Sequence, residues 1–233
     1  MITIIIPTYN AAALIEGGYW FSIDAMGIFK VKYLFKKLIN HLLKNDFIAC
    51  LPADGKVVYL TFDDGPEPGI TEFVLDELSK YRFKGTFFCT GENVQKYPEY
   101  LKKIINAGHA IGNHSYLHKN AYIISAKQYA EDVSRADGLL QTPLFRPPNG
   151  CLTLTSWLRL RKKFRIIYWT TGSQDWLGDN LDVRKAMHLL RKTQSGDIIL
   201  FHFSQALQAG TRKLLPVFLK WLSDEGFVSH SIH

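Results

Sequence analysis

From Lys56 onward the chain alternates short apolar runs with amphipathic stretches. KVVYLTF (56–62), GTFFCTG (85–91), RIIYWTT (165–171), DIILFHF (197–203) and FVSHSI (227–232) are rich in β-branched and aromatic residues, as strands are. Asp-Asp-Gly-Pro stops the first of them, and HAIGNH (109–114) reads as a short strand entering a loop. Between these runs, apolar residues recur at helical spacing over 71–81, 94–107, 126–140, 182–193 and 212–225. Repeated strand–helix alternation predicts a mostly parallel α/β structure, either a barrel or an open sheet. Its strands, being continuously apolar, are expected to be buried on both faces.

The first fifty-five residues do not share this pattern and are set apart as an N-terminal extension of unknown role, with the main domain spanning 56–233. FKVKYLFKKLINHLLKND (29–46) is a basic amphipathic helix candidate, with Leu34, Leu38, Leu42 and Leu43 near one face. That face is expected to pack on the domain, with an anionic membrane surface as the alternative. MITIIIPTYNAA resembles the opening strand and turn of family-2 glycosyltransferases, but nothing downstream supplies the rest of a nucleotide-sugar domain.

A chain of 233 residues can build one substantial core without a disulfide framework or a structural metal. Its three cysteines lie far apart and form no CxxC pair, which suits a reducing compartment, and Cys89 reads as a buried small hydrophobe. The excess of 28 basic over 21 acidic residues favours an acidic partner and is concentrated around Lys30–Lys44 and Arg159–Arg165. No RNA-binding motif or finger spacing accompanies it, so no nucleic acid is expected. No run reaches the ~18 apolar residues of a membrane span. Met1–Ile6 lacks the flanks of a secretory signal. The expectation is a soluble, cytoplasmic monomer, with cell-envelope association as the alternative.

Candidate chemistry begins at Thr61-Phe62-Asp63-Asp64-Gly65-Pro66. Successive strand residues point to opposite faces, but Gly65 and Pro66 end the strand and free the chain to turn both carboxylates into one cleft. Adjacent carboxylates repel, so each needs a cation or hydrogen-bond donors to stay ionised. His114-Ser115-Tyr116-Leu117-His118 spaces two imidazoles four apart, which on one side of a helical turn lets both bind one metal. With Asp64 they make a two-histidine, one-carboxylate set, suited to zinc, cobalt or iron rather than calcium or magnesium. Three protein ligands leave positions open for water and substrate, as catalytic sites do. Three weaker segments follow. Phe145-Arg146-Pro147-Pro148-Asn149-Gly150 holds a guanidinium in a chain stiffened by prolines. Gln174-Asp175-Trp176 sets a carboxylate beside an aromatic, and Leu200-Phe201-His202 ends a strand with a histidine. Each of the three is, taken alone, also what an ordinary loop or a packed histidine would look like.

In order, TFDDGP, HSYLH, RPPNG, the DW of QDW and LFH resemble the five motifs of the polysaccharide deacetylase family, also called NodB-homology domains or carbohydrate esterase family 4. The resemblance runs from about Lys56 to the C-terminus. It implies a distorted (β/α) barrel with its cleft at the C-terminal ends of the strands, and a metal-dependent hydrolase that removes N-acetyl groups from an amino-sugar polymer. By the same resemblance Asp64, His114 and His118 match the metal ligands, and Asp63 matches the general base. Arg146 matches the residue that orients and neutralises that base. His202 matches the general acid, with Asp175 tuning it, and Trp176 and Leu200 match walls of the acetyl-methyl pocket. The implied cofactor is one divalent ion, zinc first, with cobalt, nickel or iron accepted by the same ligands. The implied partner is an N-acetylated glycan.

Two positions depart from the family pattern. Asn149 stands where tyrosine is common before the last glycine of the third motif, in a position able to offer its backbone N–H to an oxyanion or its side chain to sugar. Phe203 stands where an aspartate commonly follows the acid, which is expected to alter the pKa of His202 or the cleft surface. Neither change deletes a ligand, base or acid. The alternatives carried forward are an O-acetyl esterase of the acetylxylan type and a glycan-binding pseudoenzyme that keeps the metal site without turnover.

Overall fold

The computed structural model describes residues 47–233. The IIIPTYN opening and the basic stretch 29–46 lie outside the described residues.

Nine strands form one parallel sheet: β1 (Phe47–Ile48), β2 (Val57–Asp64), β3 (Gly85–Cys89), β4 (Ala110–Asn113), β5 (Leu144–Phe145), β6 (Arg165–Ile167), β7 (Thr171–Gly172), β8 (Ile198–His202) and β9 (Val228–Ser229). Their order is β1-β6-β5-β4-β3-β2-β8-β7, with β9 paired to the start of β2. Among the described residues seven helices return the chain: α1 (Ile70–Lys80), α2 (Gly91–Lys96), α3 (Pro98–Asn106), α4 (Ala126–Leu140), α5 (Leu154–Leu160), α6 (Val183–Leu190) and α7 (Gln208–Asp224). The two ends of the sheet meet through a few bonds rather than a full ladder. Leu51 N donates to Gly196 O at 2.9 Å, Cys50 bridges Asp197 ahead of β8, and the Thr170 hydroxyl, ahead of β7, donates to Ala49 O at 2.6 Å. The result is the distorted (β/α) barrel that the motifs imply.

The strands are apolar on both faces for two different reasons. Leu60 and Phe62 of β2, Phe87 of β3 and Phe201 of β8 face outward under α1 and α7, where Phe62 stacks on Phe87 at 4.9 Å. Burying side chains of this size stabilises by roughly 1.5–3 kcal/mol each. The inner face is filled by Phe88, Leu144, Ile167 and Ile198, with Ile232 from the C-terminal tail. Cys89 is buried in the outer core, as expected of a small hydrophobe.

Several boundaries differ from the sequence pattern. The stretch read as one helix over 94–107 is two, because Pro98 has no N–H to continue the first and instead opens α3. RIIYWTT is two short strands, since 168–170 leaves β6 to cross to the other edge of the sheet. The sheet also takes in Phe47–Ile48, part of the stretch set aside as an extension, because these two apolar residues pair with Ile166 and Ile167. The helix Leu154–Leu160 went unread: it is short, but Thr153 caps it by accepting the Ser156 N–H.

Candidate metal centre and active site

Asp63, the penultimate residue of β2, lies opposite His202, the last residue of β8; the two are register partners on neighbouring parallel strands. Partners in register point to the same face, so both side chains emerge at the C-terminal end of the barrel, where such folds gather chemistry. Leu200 lies two residues before His202 and therefore shares that face, as Thr61 does with Asp63. Asp64 would point away if β2 continued straight. Instead it takes φ 87°, a left-handed conformation rare for a residue with a side chain, and this turns its carboxylate into the same cleft. The turn expected at Gly65 and Pro66 thus begins one residue earlier. Thr90 Oγ1 and Asn93 Nδ2 hold it by donating to the Asp64 carbonyl at 3.0 and 2.9 Å.

His114 and His118 do not share a helical turn. They sit in a loop after β4 in which Ser115 and His118 adopt φ 63° and 53°, and the rings lie 5.0 Å apart between centroids. Asn113 folds this loop: its Oδ1 accepts the Ser115 N–H at 2.8 Å, and its Nδ2 anchors to Val133 O at 3.0 Å. Asp132 on α4 accepts the N–H groups of Tyr116 and Leu117. The two rings do come together as the spacing predicts, but through side-chain capping of a loop rather than a helical turn, which spacing does not report.

Ligand atoms of Asp64, His114 and His118 all lie within 4.8 Å of one another. His114 Nδ1 is 2.8 Å from the carbonyl oxygen of Arg146, so that nitrogen carries the proton and Nε2 presents a lone pair. This lone pair faces Asp64 Oδ1 at 3.5 Å and Asp63 Oδ2 at 3.7 Å, while His118 Nε2 is 3.2 Å from Asp64 Oδ1. Such a convergence of acceptors is resolved by a cation, so the donor set fits a divalent metal. Burial would push the Asp64 carboxyl up, but the adjoining imidazoles outweigh it and hold it well below the usual carboxylate range. Burial works against the charged form of His118 too, and Asp64 overcomes it and raises its pKa.

Arg146 is fully buried inside the barrel and spans it. Nη1 donates to Asp63 Oδ1 at 2.8 Å and to Thr61 Oγ1 at 2.7 Å; Nη2 donates to Tyr168 O, and Nε to Ile167 O. The guanidinium lies 4.2 Å over the Phe88 ring. That ring occupies the space above Gly112, where a Cβ would come within 2.4 Å of it.

On the opposite wall, Asp175 Oδ1 accepts from His202 Nδ1 at 2.8 Å, and Oδ2 accepts from the His202 backbone N–H at 2.7 Å. The Thr211 hydroxyl, on α7, is 2.9 Å from Oδ2. Burial disfavours the imidazolium, but the Asp175 carboxylate outweighs it and the His202 pKa is pushed up to about 9. Trp176 stands edge-on to His202, 6.0 Å between centroids, and is 40% exposed. Phe203 corrects an expectation. It lies wholly in the core, edge-on to Phe87 and against Gly65, so it underpins the DDGP turn and takes no part in the cleft surface. Asn149 is exposed at φ 56° in a single 3-10 turn, Pro148–Gly150, following the Arg146 segment. Thr61, Asn113 and Thr211 are supporting residues that the sequence reading passed over, although Thr61 and Asn113 each lie within two residues of a residue it singled out.

A two-histidine, one-carboxylate cluster, flanked by an arginine-paired carboxylate and an aspartate-paired histidine at the C-terminal end of a (β/α) barrel, is a layout suited to metal-dependent hydrolysis. The profile of the family described as polysaccharide deacetylase matches residues 51–164. A peptidoglycan-N-acetylmuramic acid deacetylase of Bacillus subtilis is 31% identical over 82% of this chain and 81% of its own length. A peptidoglycan-N-acetylglucosamine deacetylase of Bacillus cereus is 35% identical over 65% of this chain, which spans 57% of that relative. Among solved structures, a peptidoglycan N-acetylglucosamine deacetylase superposes with a TM-score of 0.75 at 27% identity, covering 83% of this chain and 94% of the other. The chain belongs to the polysaccharide deacetylase family.

Proposed function

We propose that the protein removes N-acetyl groups from the amino sugars of a peptidoglycan-type glycan, using one divalent ion held by Asp64, His114 and His118, zinc being the first choice for this donor set. When bound, the ion supplies Lewis acidity to polarise the acetyl carbonyl and acidify water.

The chain's own residues account for the proton movements. Arg146 occupies Asp63 Oδ1, which leaves Oδ2 toward the ligand cluster as the oxygen that accepts a proton from the attacking water. Asp175 occupies His202 Nδ1, which leaves Nε2–H to protonate the leaving nitrogen. An amine leaves poorly unless protonated, and an imidazole with a pKa of about 9 is charged at neutrality, which favours an amide over an ester substrate. Leu200 and Trp176, beside His202, suit the walls of a pocket for the acetyl methyl group, and the exposed Asn149 is assigned a contact to sugar.

The observation that supports this reading is the register pairing of Asp63 with His202 on neighbouring strands, beside the cluster of Asp64, His114 and His118. Acetate release from N-acetylated and O-acetylated glycans, with chelation and metal add-back, tests it. Release from peptidoglycan or N-acetylglucosamine oligomers, lost on chelation and in Asp63→Asn, is expected. Release from acetylated xylan alone would overturn the substrate assignment, and glycan binding unaccompanied by any release would overturn the activity.

A further inference from the structure

Because all strands run parallel, their N-terminal ends share one end of the barrel, opposite the cleft. The linkers that enter strands there read YRFK (81–84), RKKF (161–164) and RK (191–192), and Lys56 precedes β2. The acids in these strand-entry segments are Asp54, Asp197 and Glu225. The loops around the cleft have the reverse balance, with Glu67, Asp175, Asp179 and Asp182 against Lys119 and Arg146. Some of the basic groups serve the fold: Lys84 bonds Ala107 O and Lys163 pairs with Asp137. Arg82, Lys162 and Lys192 are exposed and carry no ion pair among the described residues.

Cations near helix C-termini complement the helix dipole, which accounts for part of this asymmetry. It does not account for the aliphatic residues at the same end. Ile105 and Leu139, in the last turns of α3 and α4, and Val228 of β9 are 48%, 43% and 45% exposed. Cations interspersed with exposed aliphatic side chains are the composition of a surface that rests on an anionic bilayer. A soluble polyanion would engage the charges alone. The chain also enters the barrel here. Phe47 pairs with Ile166 of β6 and stacks on Trp157.

We infer that this end of the barrel docks on an anionic lipid surface, so that the catalytic cleft faces away from the bilayer toward its polymer. The docking does not depend on the proposed activity and is read separately from it.

Co-sedimentation of the full chain with phosphatidylglycerol–phosphatidylcholine vesicles, against phosphatidylcholine alone, tests the inference. Pelleting only with the anionic vesicles, relieved by raised salt, is expected. Lys162→Glu/Lys192→Glu should weaken partitioning about tenfold or more, and Leu139→Asp should weaken it independently, both with unchanged circular dichroism. Lys162→Gln/Lys192→Gln serves if the reversed pair fails to fold, and should weaken binding in the same direction. Equal pelleting with neutral vesicles would overturn the inference, as would no pelleting or full binding by these variants. So would capture by soluble poly(glycerol phosphate) without vesicle binding, which would assign the basic end to a polyanion instead.

Discussion

The carbonyl oxygen of Arg146 accepts the Nδ1 proton of His114 at 2.8 Å, while the guanidinium of the same residue holds Asp63 Oδ1 at the same distance. One residue thus sets the tautomer of His114, a proposed metal ligand, through its backbone and orients Asp63, the proposed base, through its side chain. Substitution separates the two functions, because the backbone contact survives it. Arg146→Met leaves Asp63 buried without its cation. We expect a stability loss of about 3–5 kcal/mol in urea titration and a fall in kcat of at least about 100-fold, with metal stoichiometry retained. A variant as stable as the parent would show that the pair is not a buried charge pair in solution.

Removing the metal by chelation should abolish activity and lower the melting temperature, and stoichiometric zinc should restore both. At free metal about 100 times Kd the ion contributes about 2.7 kcal/mol of stability. His114→Ala should bind no metal by elemental analysis; full occupancy in that variant would break the ligand assignment.

The pH profile of kcat/KM reports His202. As the proposed general acid it acts while protonated, so activity should fall as pH rises through about 9. Asp175→Asn removes the carboxylate that raises this pKa, and the alkaline limb should move to lower pH. An unmoved limb would assign it to another group.

His109 gives an acid limit to stability that is separate from the site. Burial is the main cause, with the positive charge of Lys84 adding to it, and the pKa falls from 6.5 to about 4. Its neutral Nδ1 accepts the Gly85 N–H at 3.1 Å. A depressed folded-state pKa means that this stability is present above pH 6.5 and drains away as pH falls toward 4. His109→Gln should flatten the decline over that window, and an unchanged slope would exclude His109 as its source.

Gly210, in the first turn of α7, lies against the turn that carries Asp175. A Cβ there would stand 1.9 Å from the Asp175 carbonyl oxygen. Gly210→Ala should cost roughly 1–3 kcal/mol and depress kcat more than it raises KM, because the displaced element is the one that holds His202. Unchanged kinetics would show that the turn can shift without disturbing the acid.

Much of this was readable along the chain because the chemistry lies in short contiguous runs. Asp63 and Asp64 are neighbours, His114 and His118 are four apart, and β8 ends on His202, so residue type and strand ends alone point to them. What the sequence left unread depends on partners distant in the chain. The left-handed turn at Asp64 is held by Thr90 and Asn93, the histidine loop by Asn113 and Asp132, and Asp175 by Thr211. Strands of two residues, such as Leu144–Phe145, carry no periodicity to detect. Phe203 misled for the same reason: adjacency to the acid in sequence says nothing about which face of the sheet it takes, and period two sends it to the core.

Gly112, Phe88 and Arg146 form a column, each resting on the one before. A methyl group added at the foot of that column would lift the ring, tilt the guanidinium and change the angle at which Asp63 meets water. The aim of the proposed base is thereby fixed from the interior outward, from a buried position behind the cleft, and a search for catalytic variants confined to the cleft lining would pass it by.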